Sequence, residues 1–192
     1  MKLLPITLLV FAVALLFGCG QSGEITAEKT ATMGASNNDL ATRAGAPLFD
    51  NMGSFAMPIT TADADAQKYF NQGMVLAFAF NHAESIRSFK AAQTLDPSCA
   101  MCFWGEALAT GPNINVTSKG KVIMSAQARQ NAFASLQKAV ALSGGVNERE
   151  QDYIKALSAR YNGDVDSPRK PLDLAWADAM GDLAAQYPDD MN

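Results

Sequence analysis

Residues 69–97 read YFNQGMVLAFAFNHAESIRSFKAAQTLDP, and their spacing decides the fold class. Tyr69, Gly73 and Leu76 recur at helical intervals. After a break at Asn81 the pattern resumes with Ser85, Phe89 and Ala92, and Pro97 closes it. Asn81 followed by Glu84 reads as the turn and N-terminal cap of the second helix. Two short helices separated by such a turn form an antiparallel hairpin. Gly73 is the small residue that lets the two helices approach closely, while Tyr69 and Phe89 fill the wedge between them.

The same arrangement recurs on the C-terminal side, within a helical periodicity that runs from about Ala62 to Tyr187. A second unit places Met101, Trp104, Gly105 and Leu108 on its first helix and Ala132, Leu136, Ala139 and Leu142 on its second, with Gly144-Gly145 closing it. GPNINVTSKGKVIMS, residues 111–125, is an insertion between them. A weaker third unit runs through Ile154, Leu157, Ser158 and Tyr161, then Trp176, Met180 and Leu183, and closes at Pro188. Its own insertion is NGDVDSPRKP, residues 162–171.

An aromatic, a small and a large residue, followed by a second helix with an aromatic, a small residue and a closing proline, resemble the tetratricopeptide pattern. Three further stretches are similar to an exported group of bacterial tetratricopeptide-repeat proteins. They are Phe80-Asn81-His82-Ala83-Glu84, Cys99-Ala100-Met101-Cys102-Phe103-Trp104-Gly105 and Gly111-Pro112-Asn113-Ile114-Asn115. The resemblance covers about residues 53–188. It implies an all-α, tetratricopeptide-type helical-hairpin solenoid of about three units over residues 62–192, with a binding role and no agreed chemistry. Asp189-Asp190-Met191-Asn192 reads like the opening of another repeat with no helix to follow. The array is therefore expected to be incomplete, with Trp176 and Met180 uncovered at its end.

Upstream of the helices the chain changes character. Lys2 precedes an apolar run from Leu3 to Phe17, shorter than the ~18 residues a membrane span needs, so residues 1–18 read as a signal peptide. Leu16-Phe17-Gly18-Cys19 resembles the bacterial lipobox, which implies cleavage before Cys19, a covalent lipid on its sulfur and a membrane anchor. Gly20 after that cysteine, with no Asp there, implies passage to the outer membrane, facing the periplasm. Residues 19–46 are small and polar with no sustained apolar period, which predicts a flexible tether. Residues 47–61 set apolar side chains among Pro and Gly and read as an irregular strap lying against the helical domain.

The whole chain carries a formal charge of −4, and loss of Lys2 with the leader takes it to −5. That balance argues against a nucleic-acid partner. Lipidation of Cys19 would leave Cys99 and Cys102 as the remaining cysteines, in an oxidising compartment. Phe103 stands where haem attachment needs His. A redox dithiol, a structural disulfide, packed thiols and a metal site stay open for the pair, with His82 as the further nitrogen ligand a metal would need. His82 itself reads first as a turn residue hydrogen-bonded to nearby backbone. No catalytic triad, carboxylate pair or phosphate loop is recognisable, so no enzyme activity and no cofactor beyond the lipid are expected.

Repeat register places Gln67, Phe70, Asn71 and Met74 of the first unit and Asp152 and Lys155 of the third on a concave groove, with Glu106 sharing a bordering face with Cys99 and Cys102. The sequence thus points to a membrane-anchored scaffold that binds a protein or peptide in the cell envelope. Its rivals are a periplasmic redox or metal-binding protein centred on Cys99, Cys102 and His82, and an assembly part of an envelope complex.

Overall fold

The computed structural model describes residues 38–113, 117–118, 121–122 and 124–190. The leader, Cys19 and most of the tether lie outside them. Among the described residues seven α-helices carry the fold: α1 (38–44), α2 (Ala64–Phe78), α3 (His82–Leu95), α4 (Ala100–Thr110), α5 (Ala126–Leu142), α6 (Glu148–Ser158) and α7 (Arg169–Gln186). A short antiparallel pair, β1 (Thr117–Ser118) with β2 (Lys121–Val122), sits in the insertion between α4 and α5. No described helix is long and apolar enough to cross a membrane.

Local chemistry sets the helix starts. Asp63 caps α2 by accepting from the Asp65 and Ala66 amides, Asn81 caps α3 through Glu84 N, Ser125 caps α5 through Ala128 N, and Asn147 caps α6 through Glu150 N. At α4 the capping atom is the sulfur of Cys99, 3.2 Å from the Cys102 amide. Ser143–Gly145 ends α5 as a 3₁₀ turn, with Gly144 and Gly145 at its close. The insertion of the third unit is shorter than its sequence suggests, because Arg169, Lys170 and Pro171 already belong to α7, where proline is tolerated in the first turn.

The helices pack as three antiparallel hairpins, α2–α3, α4–α5 and α6–α7, with α3 also packed on α4. Of the first helices, α4 lies between α2 and α6 and touches both. The closest packing centres on Phe89. A Cβ built on Gly73 would come within 2.7 Å of the Phe89 ring, and one on Gly105 within 2.3 Å. Phe89 therefore sits in a slot cut by two glycines, one on its own hairpin partner and one on the next hairpin. Gly105 clears space for the second helix of the preceding unit and not for α5. Ser85 fills the small position at the start of α3 and donates from its hydroxyl to Gly73 O at 2.7 Å.

Two expectations are corrected at the edges. The tether ends earlier than residue 46: residues 38–44 are helical, and Leu40, Ala44 and Ala46 are buried in the common core. Trp176 and Met180 are not left bare, since both are partly buried against that core, and the large apolar side chain that α7 exposes is Leu174, 56% exposed.

Candidate functional site

The side lined by α2, α4 and α6 is partly filled by the strap of residues 47–61, held by side-chain amides. Gln72 accepts from Phe49 N at 2.7 Å and donates to Pro47 O at 3.0 Å. Asn71 accepts from Met57 N at 3.3 Å, and Gln67 accepts from Ile59 N and donates to Met57 O, both at 3.0 Å. The far end is pinned by two carboxylates. Glu150 accepts from the amide and hydroxyl of Thr60 at 2.8 and 3.0 Å, and Asp96 from Thr61 Oγ1 and Ala62 N at 2.6 and 3.0 Å. An amide side chain that both donates to and accepts from one backbone reads main chain and not sequence. Met57, between these clamps, is fully buried.

The groove residues expected from the sequence divide accordingly. Gln67 and Asn71 lie on α2 and are engaged by the strap. Phe70 is core, its ring 5.6 Å from that of Phe89. Met74 is buried and borders a cavity. Glu106 lies against α3: it accepts from Gln93 Nε2 at 2.8 Å and pairs with Lys90 at 3.4 Å, so it does not open onto a groove. Asp152 accepts from Gln186 and from the Tyr187 hydroxyl, and with Lys155 it borders a shallow depression between α6 and α7, apart from the α2 residues. The register reading failed for Glu106 and Asp152 because neighbouring helices cover those faces.

Cys99 and Cys102 form a disulfide, both residues wholly buried at the start of α4. His82 is the first residue of α3 and borders a cavity with Leu108, Ala109 and Pro112 at the other end of α4. Eleven residues of helix span roughly 16 Å at ~1.5 Å per residue. The three residues of the redox-or-metal reading are therefore not brought together, and no group of three or more His, Cys, Asp or Glu that could hold a metal occurs among the described residues.

What the strap leaves open is a chamber of about 230 Å³ between α2, α4, α6 and α7, walled by Met57, Met74, Trp104, Tyr153, Leu157 and Met180. Its rim is shared, through Phe78, Leu108 and Trp176, with a second cavity of about 190 Å³ that adds Phe80, His82, Asn113 and Arg160. Phe78 and Phe80 are exposed at this mouth, 59% and 56%. Phe80 also holds a φ of +61°, in the left-handed region that a bulky residue rarely occupies. On the floor the Trp104 indole donates to Tyr153 O at 3.0 Å, and the two rings meet edge to face. Burial, reinforced by Asp190, pushes the Tyr153 hydroxyl up to about 12.

Arg160, following α6, is only 4% exposed. Its guanidinium stacks on Trp176 at 3.9 Å and donates to Pro112 O, with Leu108 O at 3.5 Å. Tyr161 beside it donates to Ala107 O at 2.8 Å and to Gly111 O. These contacts fix the Gly111-Pro112-Asn113 turn. Burial lowers the Arg160 pKa and holds the Tyr161 hydroxyl at about 12. Sequence reading missed Arg160 because an arginine after a helix ordinarily reads as surface. It missed Glu150 although Asn147 three residues before it is a legible cap signal.

Comparison with protein-family models, with curated proteins and with solved structures finds no match.

Proposed function

We propose that this chain is a tetratricopeptide-type scaffold of the cell envelope, anchored through a lipid on Cys19, that binds a protein or peptide segment on its α2–α4–α6 side and catalyses nothing itself. The observation that carries the reading is the seating of the strap. This surface holds an extended stretch of polypeptide through the Gln67, Asn71 and Gln72 amides and buries a methionine from it, which is how a groove grips a peptide backbone while taking one side chain. Beside the seated strap the chamber stays open, with aromatic side chains exposed at its mouth, a feature that marks interaction surfaces.

The test is a photo-crosslinking amino acid placed at Phe78, on the rim, and at Gln137, on α5 away from it, in the full chain within its own envelope. The reading expects a discrete crosslinked partner from position 78 and none from position 137; equal or absent crosslinking at both contradicts it. Anchoring is tested separately by Cys19→Ser, which should change the mature mass and abolish detergent partitioning.

A further inference from the structure

The two cavities that meet at Phe78, Leu108 and Trp176 differ in character. The larger is walled by apolar and aromatic side chains alone, while the smaller holds a buried guanidinium. Arg160 has no carboxylate within ion-pair distance among the described residues. The neighbouring Arg169 takes Asp173 at 2.7 Å, so two cations share one acid. Arg160 Nε and the Trp176 indole N–H, both donors, are buried and have no acceptor among the described residues, and the smaller cavity is lined besides by His82 and Asn113. No Asp or Glu borders the smaller cavity. Buried donors without acceptors, beside a cation that makes no ion pair of its own and shares Asp173 with Arg169, describe a site short of an anionic acceptor.

The apolar neighbour narrows the chemistry. A doubly charged anion would bury a second charge that no cation here matches, whereas a single carboxylate balances Arg160. The exposed Phe78 and Phe80 leave the mouth open to the outside, so a ligand seated at the junction can continue outwards as a longer chain. Met57 supplies the local precedent, since a methionine from an extended segment already forms part of the chamber wall.

We propose that this junction captures the C-terminal carboxylate of a partner polypeptide ending in a large apolar residue. The carboxylate accepts from Arg160 and Trp176, and the terminal side chain enters the chamber between Met57, Met74 and Met180. The inference rests on the peptide-binding reading above and gives it a specificity.

Isothermal titration of the full mature chain tests it with three probes: an N-acetylated pentapeptide ending in methionine as the free acid, the same peptide as its C-terminal amide, and octanoate. The free acid should saturate at one equivalent and bind about tenfold or more tightly than the amide, as expected for a charge-assisted bond from a buried cation. Arg160→Met should bring acid and amide to the same affinity. Because Arg160 also holds Pro112, Trp176→Phe serves as a gentler second variant that keeps the ring, removes the N–H and should narrow the gap. Equal binding of acid and amide to the unaltered chain overturns the inference, as does octanoate binding more tightly than the peptide acid. If the acid fails to bind while crosslinks at position 78 persist, this inference falls and the peptide-binding reading stands; loss of both defeats both.

Discussion

The α2–α4 end and the α6–α7 end are built from the same kind of hairpin, yet one is packed solid and the other encloses space. At the first, two glycines on different hairpins hold one phenylalanine, and Tyr69, Phe70, Phe89 and Met101 are buried together. At the second, Leu183 is the one buried residue of α7, the helix touches α6 sparsely, and a chamber lies between them and α2 and α4. The physical difference is what occupies the small positions. Gly73 and Gly105 are filled by a neighbour's ring, whereas Gly181 on α7 has nothing within 4 Å of where a Cβ would stand. Close packing is therefore concentrated at one end, and open space at the other.

Substitutions can break this contrast or sharpen it. Phe89→Ala should cost about 3–5 kcal/mol, because it empties a slot that two rigid helices border; Leu174→Ala, at the exposed end, should stay within about 0.5 kcal/mol. Equal losses in denaturant melts would erase the distinction. Gly105→Leu should cost about 1–3 kcal/mol, since Phe89 is confined by Gly73 on its other side and has nowhere to move. Reduction of the Cys99–Cys102 disulfide should cost no more than about 2 kcal/mol, because the bond closes a very small loop. Circular dichroism with and without reductant should show the same helix content.

Acid should weaken the tight end through Asp96. Burial alone would raise its pKa, but the Ser98 and Thr61 hydroxyls and the Ala62 and Ser98 amides outweigh that and hold it at about 2, below the usual 3.8. A carboxyl depressed in the folded state stabilises fully above its unfolded pKa and loses that contribution as pH falls through the folded one. The melting temperature should therefore drop between about pH 4 and pH 2, and Asp96→Asn should flatten the drop. The smallest effect has the opposite sign: Gly181→Ala should stabilise by about 0.4–1 kcal/mol, since α7 gains helix propensity with no clash.

The tight end was legible because its packing is local to the repeat. The spacing of Tyr69, Gly73, Ser85 and Phe89 names both helices and their contact, and Asn81 marks the turn between them. What Gly105 touches was harder to read, since its partner Phe89 belongs to the preceding hairpin. The site was legible only in part. Gln67 and Asn71 were singled out, but residues 47–61 have no period from which their seat could be read, so the hydrogen bonds of the strap to these two side chains were hidden. Arg160 and Trp176 meet from different helices of the weakest unit, a contact that no spacing within one helix encodes.

The chain has two tryptophans, which makes one spectrum decisive. In a ¹H–¹⁵N correlation spectrum of the full mature chain, the Trp104 indole N–H is engaged by Tyr153 O and should hold its position as the free-acid peptide is added. The Trp176 indole N–H should move to a new, hydrogen-bonded position at saturation, and the amide peptide at the same concentration should leave it where it was. A Trp176 signal unmoved by saturating acid peptide, or moved equally by acid and amide, would contradict the assignment of this junction as the place where the scaffold takes a chain end.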